Sequence, residues 1–381
     1  MHPSLSGPAL PWPLCVPVLT DGEITLRAHT RDDLEPMLQM AQDEEMQRWT
    51  AIPVPHTIEQ SEEFALSVVP RAWDQGTARG WAIEAPDAHG RPRYAGNIDV
   101  RGNGVADVGF ALHPWARGRG VMVRAVQLAV DWTFAEGVAE VVHWRAHVGN
   151  EASLRVAHRA GFTLHGTTPG LLWERGRAVD AWTASIRFGD APLPRTRWLD
   201  SVLENDRLRL RPFSEADLPR VVEACSDPVT RHWLHHLPHP YTAGDARDFL
   251  HREVWSSATG TKASWVVADR ATDALLAHVA IMDLGGLDPL HGEVGYWTHP
   301  DARRRGVMTE AVGLVRDWAF APLHENSGLG LQRLSLYAAV ENEASNRVAQ
   351  ANGFTRFGTQ REAEPLGDGT YADLEGYELL A

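Results

Sequence analysis

The chain has 381 residues, of which 44% are hydrophobic and 23% are charged. This length exceeds one ordinary hydrophobic core and predicts two domains, and the composition excludes a disordered or a membrane-embedded protein. The formal net charge of −14 opposes binding to nucleic acid or to an anionic membrane surface, so neither is expected as a partner.

The chain opens with a proline-rich extension, residues 1–20, which lacks the positively charged start of a secretory signal. No run of about 18 apolar residues follows it. The two cysteines, Cys15 and Cys225, are too few for a disulfide framework and too far apart for a zinc-ligand spacing. These features predict a cytoplasmic protein with no bound metal.

The sequence repeats itself, because sliding the chain by about half its length aligns its two halves. Such self-similarity indicates a tandem duplication, with predicted domains at 21–188 and 206–381 and a proline-containing linker at 189–205. The matching segments are ITLRAHTRDDL (24–34) with LRLRPFSEADL (208–218), GWAIE (80–84) with SWVVA (264–268), DVGFALHPWARGRGVM (107–122) with EVGYWTHPDARRRGVM (293–308), and NEASLRVAHRAGFT (150–163) with NEASNRVAQANGFT (342–355).

Each half begins with a short β-type run that contains an arginine, followed by a polar helical stretch. Alternating apolar strands come next, such as RYAGNIDV (93–100) and ADVGFALH (106–113). A loop then precedes a helix whose apolar residues recur at helical spacing, which predicts one buried face. That stripe is Val121, Ala125, Leu128 and Trp132 in the first half and Val307, Ala311, Leu314 and Trp318 in the second.

A further strand, VVHWRAHV (141–148) or RLSLYAAV (333–340), leads into a helix that Asn150 or Asn342 can cap. A glycine suited to a left-handed conformation ends each of these helices. The two glycines are Gly161 and Gly353. Each half is therefore predicted to be a mixed α/β (α+β) domain around a largely antiparallel sheet.

The loop before the long helix reads RGRGVM (117–122) in the first half and RRRGVM (303–308) in the second. A glycine turn at a helix start exposes backbone N–H groups at the positive end of the helix dipole, where a phosphate or diphosphate can bind. A single loop of this kind is more often a solvated helix cap, but its recurrence favours an anionic cofactor. Neither a Walker loop nor a dinucleotide fingerprint is present. The residues assigned to the cofactor are Arg117, Gly118, Arg119, Gly120, Val121, Met122, Arg303, Arg304, Arg305, Gly306, Val307 and Met308.

Together, the Arg-x-x-Gly-x-Met loop, the VGF or VGY strand before it and the Asn-x-x-Ser helix resemble the GNAT acyltransferase superfamily. The chain is most similar to its ribosomal-protein N-terminal acetyltransferase branch, which acts on α-amino groups. The resemblance implies two tandem GNAT-type domains, each with a splayed sheet that grips the pantetheine arm of acetyl-CoA or another acyl-CoA. It also implies direct acyl transfer to an amine, without an acyl-enzyme.

Two positions depart from the family pattern. Met122 and Met308 stand where the loop usually ends in Gly or Ala, so we expect a long side chain beside the diphosphate, with a possible change of donor preference. The position after the loop that is commonly acidic is Glu310 in the second half and Arg124 in the first. This difference weakens the expected equivalence of the two sites.

An amine must lose a proton before it attacks a thioester, so the reaction needs a general base. Asp107 and Glu293 occupy corresponding strand positions, and the resemblance suggests a water-linked base there; the alternative is that each carboxylate ends a strand in solvent. Glu293 has the longer reach and is favoured. A backbone N–H near Phe110 or Tyr296 would meet the developing negative charge on the carbonyl oxygen.

The Asn-x-x-Ser helix supplies the remaining candidates. Asn150 and Asn342 are helix caps that can also contact the pantetheine. Ser153 and Ser345, one turn further on, are candidates to protonate the departing thiolate, although a serine there is also ordinary in a capped helix.

Segments 48–57 and 232–241 align with each other and are expected to line the acceptor pocket, which would bind an amine-bearing small molecule or a peptide. The histidine-rich 232–241 has no metal-ligand spacing. The chain is expected to be a monomer, as a pseudo-dimer, or a homodimer. Two alternatives to an N-acetyltransferase remain at this point: a catalytically silent acyl-CoA-binding or scaffold protein, and a transferase of a longer acyl chain from a carrier protein.

Overall fold

The computed structural model describes residues 16–323 and 328–381, and the chain divides into two compact units. Unit 1 ends at Arg195 and unit 2 begins at Thr196. Most of the predicted extension, including Cys15, lies outside the described residues. The other cysteine, Cys225, is buried in unit 2, and this burial raises the pKa of its thiol to about 11.

Unit 1 contains seven strands and six helices within its described residues. The strands are β1 (Leu19–Thr20), β2 (Thr25–Arg27), β3 (Ala78–Pro86), β4 (Pro92–Leu112), β5 (Ala139–His147), β6 (Thr163–Glu174) and β7 (Arg177–Arg187). The helices are α1 (Leu34–Ala41), α2 (Glu44–Trp49), α3 (Ile58–Glu63), α4 (Val69–Gln75), α5 (Val121–Ala135) and α6 (Glu151–Arg159).

Unit 2 contains eight strands and five helices within its described residues. The strands are β8 (Leu203–Glu204), β9 (Leu208–Arg211), β10 (Ala263–Asp269), β11 (Leu275–Met282), β12 (His291–Thr298), β13 (Arg333–Ala339), β14 (Thr355–Pro365) and β15 (Tyr371–Leu380). The helices are α7 (Leu218–Ser226), α8 (Pro228–Trp233), α9 (Ala243–Thr259), α10 (Val307–Phe320) and α11 (Glu343–Ala351).

Each unit has one mixed, mostly antiparallel sheet. The strand order is β1-β2-β3-β4-β5-β7-β6 in unit 1 and β14-β15-β13-β12-β11-β10-β9-β8 in unit 2. The counts differ because β4 is one long strand that turns back on itself at Gly102 and Gly104, both with left-handed backbones, and replaces the β11–β12 pair. The predicted fold class, two tandem α+β domains with helices flanking a mostly antiparallel sheet, is confirmed.

The central parallel strands of each sheet pair over a short length only. In unit 1, β4 pairs with β5 from Gly104 to Val108, and in unit 2, β12 pairs with β13 from His291 to Glu293. Both strands of each pair run several residues further without pairing with each other, so the sheet is splayed. Unpaired strand edges expose backbone N–H and C=O groups that a ligand can bind.

Helices α5 and α10 pack on one face of their sheets, and in each a tryptophan of the helix meets one of the sheet edge to face. The ring centroids of Trp81 and Trp132 are 5.3 Å apart in unit 1, and those of Trp265 and Trp318 are 5.2 Å apart in unit 2. The predicted stripe is partly wrong, since Leu128, Leu314 and Trp132 are only half-buried. The buried face is turned toward Met122, Val126 and Val130 in α5 and Met308, Val312 and Val315 in α10.

The predicted linker straddles the division between the two units. Its second part packs onto unit 2, where Leu199 is buried in the core and β8 pairs with β9. Apolar contact and strand pairing therefore extend unit 2 toward the middle of residues 189–205. No helix within residues 16–323 or 328–381 is both long enough and apolar enough to cross a bilayer.

A largely buried ion pair joins the second strand of each unit, β2 or β9, to the turn that leads into its first helix. Arg27 binds both carboxylate oxygens of Asp33 at 2.8 and 2.9 Å, and Arg211 binds Asp217 in the same way at 2.9 Å. Each aspartate also accepts the backbone N–H of the residue that caps this turn. The arginine thus fixes β2 or β9 against the start of the first helix.

We expect Asp217→Ala to lower the free energy of unfolding of unit 2 by about 3 kcal/mol, because it leaves the buried Arg211 guanidinium without its main partner. Denaturant unfolding followed by tryptophan fluorescence measures this change. The matched control is Glu204→Ala, which removes an exposed partner of Arg209 and is expected to cost less than about 1 kcal/mol. Equal losses in the two variants would contradict the role given to the buried pair.

Candidate active site

The Arg/Gly loops take the same backbone conformation in both units. Gly118 and Gly120 have φ values of +73° and +77°, and Arg304 and Gly306 have +61° and +74°. Gly120 and Gly306 immediately precede α5 and α10, and neither provides a side-chain cap. The first N–H groups of each helix are therefore open to an external acceptor, as an anion site requires.

The space in front of both loops is open. A Cβ atom added at Gly118, Gly120 or Gly306 would meet nothing within 4 Å. The glycines are needed for their left-handed backbone, and a larger side chain at these positions would extend into the space where an anion would bind. Arg304 adopts the conformation of Gly118 with a side chain in place, at some cost in backbone strain.

The first arginine of each loop holds the loop to a neighbouring helix. Arg117 forms an ion pair with Asp43, the cap of α2, and Arg303 forms one with Asp227, the cap of α8. Burial pulls the pKa of both carboxyl groups upward, but the hydrogen bonds from the arginines and from backbone N–H groups, together with the arginine charges, lower it overall. These two arginines, assigned to the cofactor from the sequence, are thus tied up in the protein.

The remaining loop residues fall into two groups, with exposed arginines and buried apolar side chains. Arg119 is exposed and lies 5.5 Å from the ring of Trp115, and Arg304 and Arg305 are exposed as well. Val121, Met122, Val307 and Met308 are buried in the first turns of α5 and α10. The expectation of a methionine side chain beside the diphosphate stays a prediction, and Met122 is among the residues that line the cleft of unit 1.

The charge difference between Arg124 and Glu310 is compensated within each unit. Arg124 pairs with Asp21 and Glu23 at 2.7 and 2.9 Å, whereas Glu310 pairs with Arg207. In unit 1 the helix carries the positive charge and the segment at the start of the unit the negative ones, and in unit 2 the signs are reversed. Each charge is therefore matched by a partner of opposite sign in its own unit, and the equivalence of the two sites stays a prediction.

Asn150 and Asn342 cap α6 and α11 as predicted. Their side-chain oxygens accept the backbone N–H groups of Ser153 and Ser345 at 3.1 and 3.2 Å. The serine hydroxyls have different partners in the two units. Ser153 Oγ accepts the indole N–H of Trp144 at 3.0 Å, and Ser345 Oγ lies 2.9 Å from the hydroxyl of Tyr296.

The two candidate bases have opposite surroundings. Asp107 forms an ion pair with Arg145 at 3.0 Å. Glu293 has no hydrogen-bond or ion-pair partner within the described part of the chain, and burial, aided by the nearby carboxylates of Asp283 and Glu364, raises its pKa. Glu293 is also the last residue of β12 that pairs with β13, so it lies where the strands diverge.

Unit 1 has an open cleft of about 580 Å³ that connects the loop to the splayed strands. It brings together six of the predicted residues, and Arg119, Gly120 and Val121 are not among its lining. The six are Asp107, Arg117, Gly118, Met122, Asn150 and Ser153. Segment 48–57 lines the same cleft through Trp49, Thr50 and Ala51.

Unit 2 has a smaller cavity of about 320 Å³, lined by five residues of segment 232–241, including His236 and Tyr241. None of the predicted catalytic or loop residues of unit 2 lines it. The connection is made by neighbours, since Gly295 and Tyr296 line the cavity and Tyr296 bonds to Ser345. Both segments expected to form acceptor pockets thus line a cavity in their own unit.

Several residues of these sites escaped the sequence analysis. Arg145 and His147 line the cleft of unit 1, where His147 pairs with Glu174 at 2.7 Å. Arg145 and His147 alternate with buried residues along β5, shortly before the Asn150 cap, and this pattern places both side chains on the same face of the strand. Tyr296 was considered only for its backbone, not for its hydroxyl. No cluster of three or more metal-ligating side chains occurs among residues 16–323 and 328–381.

Residues 23–163 and 207–355 each match the family model of the acetyltransferase (GNAT) domain. The chain is 27% identical over 182 residues to the uncharacterized N-acetyltransferase YoaA of Bacillus subtilis (strain 168), a match that covers 47% of this chain and 96% of that protein. It is 29% identical over 105 residues to the ribosomal-protein-serine acetyltransferase of Escherichia coli (strain K12), covering 27% of this chain and 54% of that protein.

Among solved structures, the chain is similar to a ribosomal-protein-S5-alanine acetyltransferase from Vibrio fischeri, with 20% identity and a TM-score of 0.42 over 48% of this chain and 97% of that one. It is also similar to a ribosomal L7/L12 alpha-N-protein acetyltransferase in complex with coenzyme A, with 18% identity and a TM-score of 0.40 over 47% of this chain and 98% of that one.

The raised pKa of Glu293 makes a prediction about stability. The folded state holds this proton to a higher pH than the unfolded state, so the carboxylate destabilises unit 2 as pH rises through that window. We expect Glu293→Gln to raise the unfolding midpoint of unit 2 at slightly alkaline pH and to leave it unchanged at acidic pH, where both states are protonated.

Denaturant titrations at the two pH values measure this difference. The matched control is Asp107→Asn in unit 1, which breaks an ion pair and is expected to give no gain at alkaline pH. If Glu293→Gln gave no gain in stability above neutral pH, the carboxylate would not be in the unfavourable environment described.

Proposed function

The chain belongs to the acetyltransferase (GNAT) family, with one domain of the family in each half, and we propose that it transfers an acetyl group from acetyl-CoA to a primary amine. The acceptor class is the N-terminus of a peptide or protein, or a small amine metabolite. The observation that carries the proposal is the combination, in each unit, of an uncapped helix start with a splayed strand pair.

The residues present fit coenzyme A. The open backbone N–H groups at the starts of α5 and α10 suit the diphosphate, and Arg119, Arg304 and Arg305 are exposed cations beside them. The edges of β4 and β12 that face β5 and β13 without pairing to them suit the amide groups of the pantetheine arm, with the Asn150 and Asn342 amides near their ends. When bound, acetyl-CoA supplies the acyl group as a thioester.

The burial of Met122 and Met308 bears on the choice of donor. These residues were the feature in favour of a longer acyl chain, and both are buried, which leaves little of either side chain to contact a donor. Acetyl-CoA is therefore the donor that we propose.

In unit 2, Glu293 is the base of the proposed mechanism. It takes a proton from the ammonium group of the acceptor, directly or through one water molecule, because an amine attacks only when it is neutral. Its raised pKa makes it a better proton acceptor than an ordinary carboxylate, and it lies where β12 leaves β13. Asp107 is bound to Arg145, which makes it the weaker candidate.

Ser345 and Tyr296 together form the proposed acid of unit 2. Their hydroxyls are 2.9 Å apart, and burial raises the pKa of Tyr296 to about 12, so the phenol keeps its proton. A protonated hydroxyl pair beside the end of the splayed strands can donate to the departing sulfur. Ser153 is the corresponding proposal in unit 1, where the Trp144 indole holds its oxygen and leaves its proton to be donated.

A peptide or protein amine is the acceptor class that the relatives support, since one of them is named a ribosomal-protein-serine acetyltransferase. The cavity of unit 2, at about 320 Å³, has room for one or two residues of an N-terminus. Aromatic walls from Tyr241, Phe249 and Trp297 favour an apolar first side chain.

We expect Gly120→Glu and Gly306→Glu each to abolish coenzyme A binding at their own loop, because a carboxylate would occupy the space in front of the helix amides. Isothermal titration calorimetry of the full chain should show one binding site fewer in each variant. The matched controls are Gly90→Glu and Gly285→Glu, which change glycines with similar φ values of +76° and +72° and equally open surroundings away from the loops. Unchanged stoichiometry in both loop variants would refute the site.

We expect Glu293→Gln to lower kcat by about 10²–10⁴, with little change in the KM for acetyl-CoA, because only the proton acceptor is lost. The test is thiol release from acetyl-CoA with a panel of peptides and small amines, in a chain whose first loop carries Gly120→Glu. Glu362→Gln, an exposed carboxylate of the same unit, is the control and should keep full turnover. Tight binding of coenzyme A with no turnover by the unaltered chain would favour a silent binding protein instead.

A further inference from the structure

One ionisable pair in the cleft of unit 1 has no part in the mechanism above. His147, the last residue of β5, pairs through Nε2 with a carboxylate oxygen of Glu174, the last residue of β6, at 2.7 Å. The two side chains are only 19% and 10% exposed. Strand β7 lies between β5 and β6 in the sheet, so the pair joins two strand ends that are not neighbours.

The hairpin of β6 and β7 brings Glu174 to this position. The pairing of the two strands shifts between Thr168 and Leu172, and Arg175 at the tip has a left-handed backbone with φ of +47°. Arg175 then donates a hydrogen bond to the backbone carbonyl of Gln47 in α2. The hairpin tip is thus anchored beside the α2 segment that lines the cleft.

The imidazole itself faces the cleft. His147 lines the cleft together with Asp107, Asn150 and Ser153, and its ring meets Trp49 edge to face at 6.0 Å. With Nε2 directed at the carboxylate, Nδ1 has no hydrogen-bond partner among the described residues. This nitrogen can therefore accept a proton from a molecule in the cleft.

Glu174 is placed to support such a proton transfer. Its second oxygen, Oε1, is buried and has no partner within the described part of the chain, so the carboxylate has His147 as its principal neighbour. A buried carboxylate on one ring nitrogen fixes the orientation of the imidazole and stabilises the imidazolium that forms when the other nitrogen takes a proton.

The sequence-predicted base of unit 1 is occupied by contrast. Asp107 is ion-paired with Arg145, which lies two residues before His147 and on the same face of β5. In unit 2 the arrangement is reversed, since Glu293 has no cation on it and the position of His147 is Ala339. Each unit thus presents one available base, and the two bases stand at different positions.

We propose that His147, oriented by Glu174, is the general base of unit 1, so that the two halves of the chain deprotonate their acceptors with different groups. This inference rests on the proposed function. The ammonium group of the acceptor gives one proton to His147 Nδ1, and its nitrogen forms the bond to the acetyl carbon as the carbon–sulfur bond breaks. A second nitrogen proton ends on the sulfur, and His147 releases the first to solvent.

The test uses the full chain with Gly306→Glu, which confines turnover to unit 1, and compares His147→Ala with His147→Gln. Alanine is the native residue at the corresponding position of unit 2, so the strand should tolerate it. We expect kcat to fall by about 10²–10⁴ in both variants, with coenzyme A binding by calorimetry unchanged. Added imidazole should restore part of the turnover in His147→Ala, where it can occupy the vacated space, and much less in His147→Gln.

Glu174→Gln tests the positioning role, since glutamine can still accept the ring N–H but cannot stabilise the imidazolium. We expect a smaller fall in kcat than for His147→Ala, at unchanged KM for the acceptor. The control is His165→Ala, which removes a histidine of the same unit that bonds to Ser185 on the neighbouring strand. This variant should keep full turnover.

Turnover of His147→Ala equal to that of its parent would overturn the inference. So would a larger loss in Asp107→Asn than in His147→Ala, or an inactive Gly306→Glu chain when the unaltered protein is active. If the unaltered protein itself neither binds coenzyme A nor releases it from acetyl-CoA with any amine, the proposed function fails, and this inference fails with it.

Discussion

Both candidate sites depend on one backbone feature, which is a helix that begins without a side-chain cap. A left-handed glycine, Gly120 or Gly306, turns the chain into the helix and leaves the first N–H groups directed outward. An ion pair holds this turn in place in each unit, from Arg117 to Asp43 in unit 1 and from Arg303 to Asp227 in unit 2. Exposed amides at the positive end of a helix dipole favour an anionic ligand, whichever side chains surround them.

The two units diverge through exchanges that are compensated inside each unit. Arg124 and Glu310 have opposite charges, but each has a partner of opposite sign at the start of its unit. The serine near each splayed strand pair is held by Trp144 in one unit and by Tyr296 in the other. The fold and the loop before the long helix therefore stay the same in both halves, while the groups around the splayed strands differ.

The sequence predicts the features that depend on local chain geometry. The loops, the strand that precedes each loop and the Asn150 and Asn342 caps follow from patterns within a few residues, and the repeat follows from comparing the chain with itself. The strand splay was expected only through the family resemblance. A loop pattern says nothing about how far the following helix is rotated, so it could not show that Met122 and Met308 are buried.

The rest of the site is set by contacts between residues far apart in sequence. Arg117 meets Asp43 across 74 positions, and His147 at the end of β5 meets Glu174 at the end of β6, two strands that are not neighbours in the sheet. No local pattern contains that information, since an arginine in a glycine loop has the same sequence whether it binds a ligand or an aspartate. The sequence therefore indicated the candidate anion site more fully than the groups proposed to move protons.

The most direct test of the helix-start amides compares ligands with and without the diphosphate. Calorimetric titration of the full chain uses coenzyme A, pantetheine, which has only the thiol arm, and adenosine 3′-phosphate, which has the nucleotide but no diphosphate and should bind no better than pantetheine. The account predicts saturable binding of coenzyme A and no measurable binding of pantetheine at the same concentrations. Equal affinity for coenzyme A and either of the other two compounds would contradict it, because the exposed helix amides would then contribute nothing to binding.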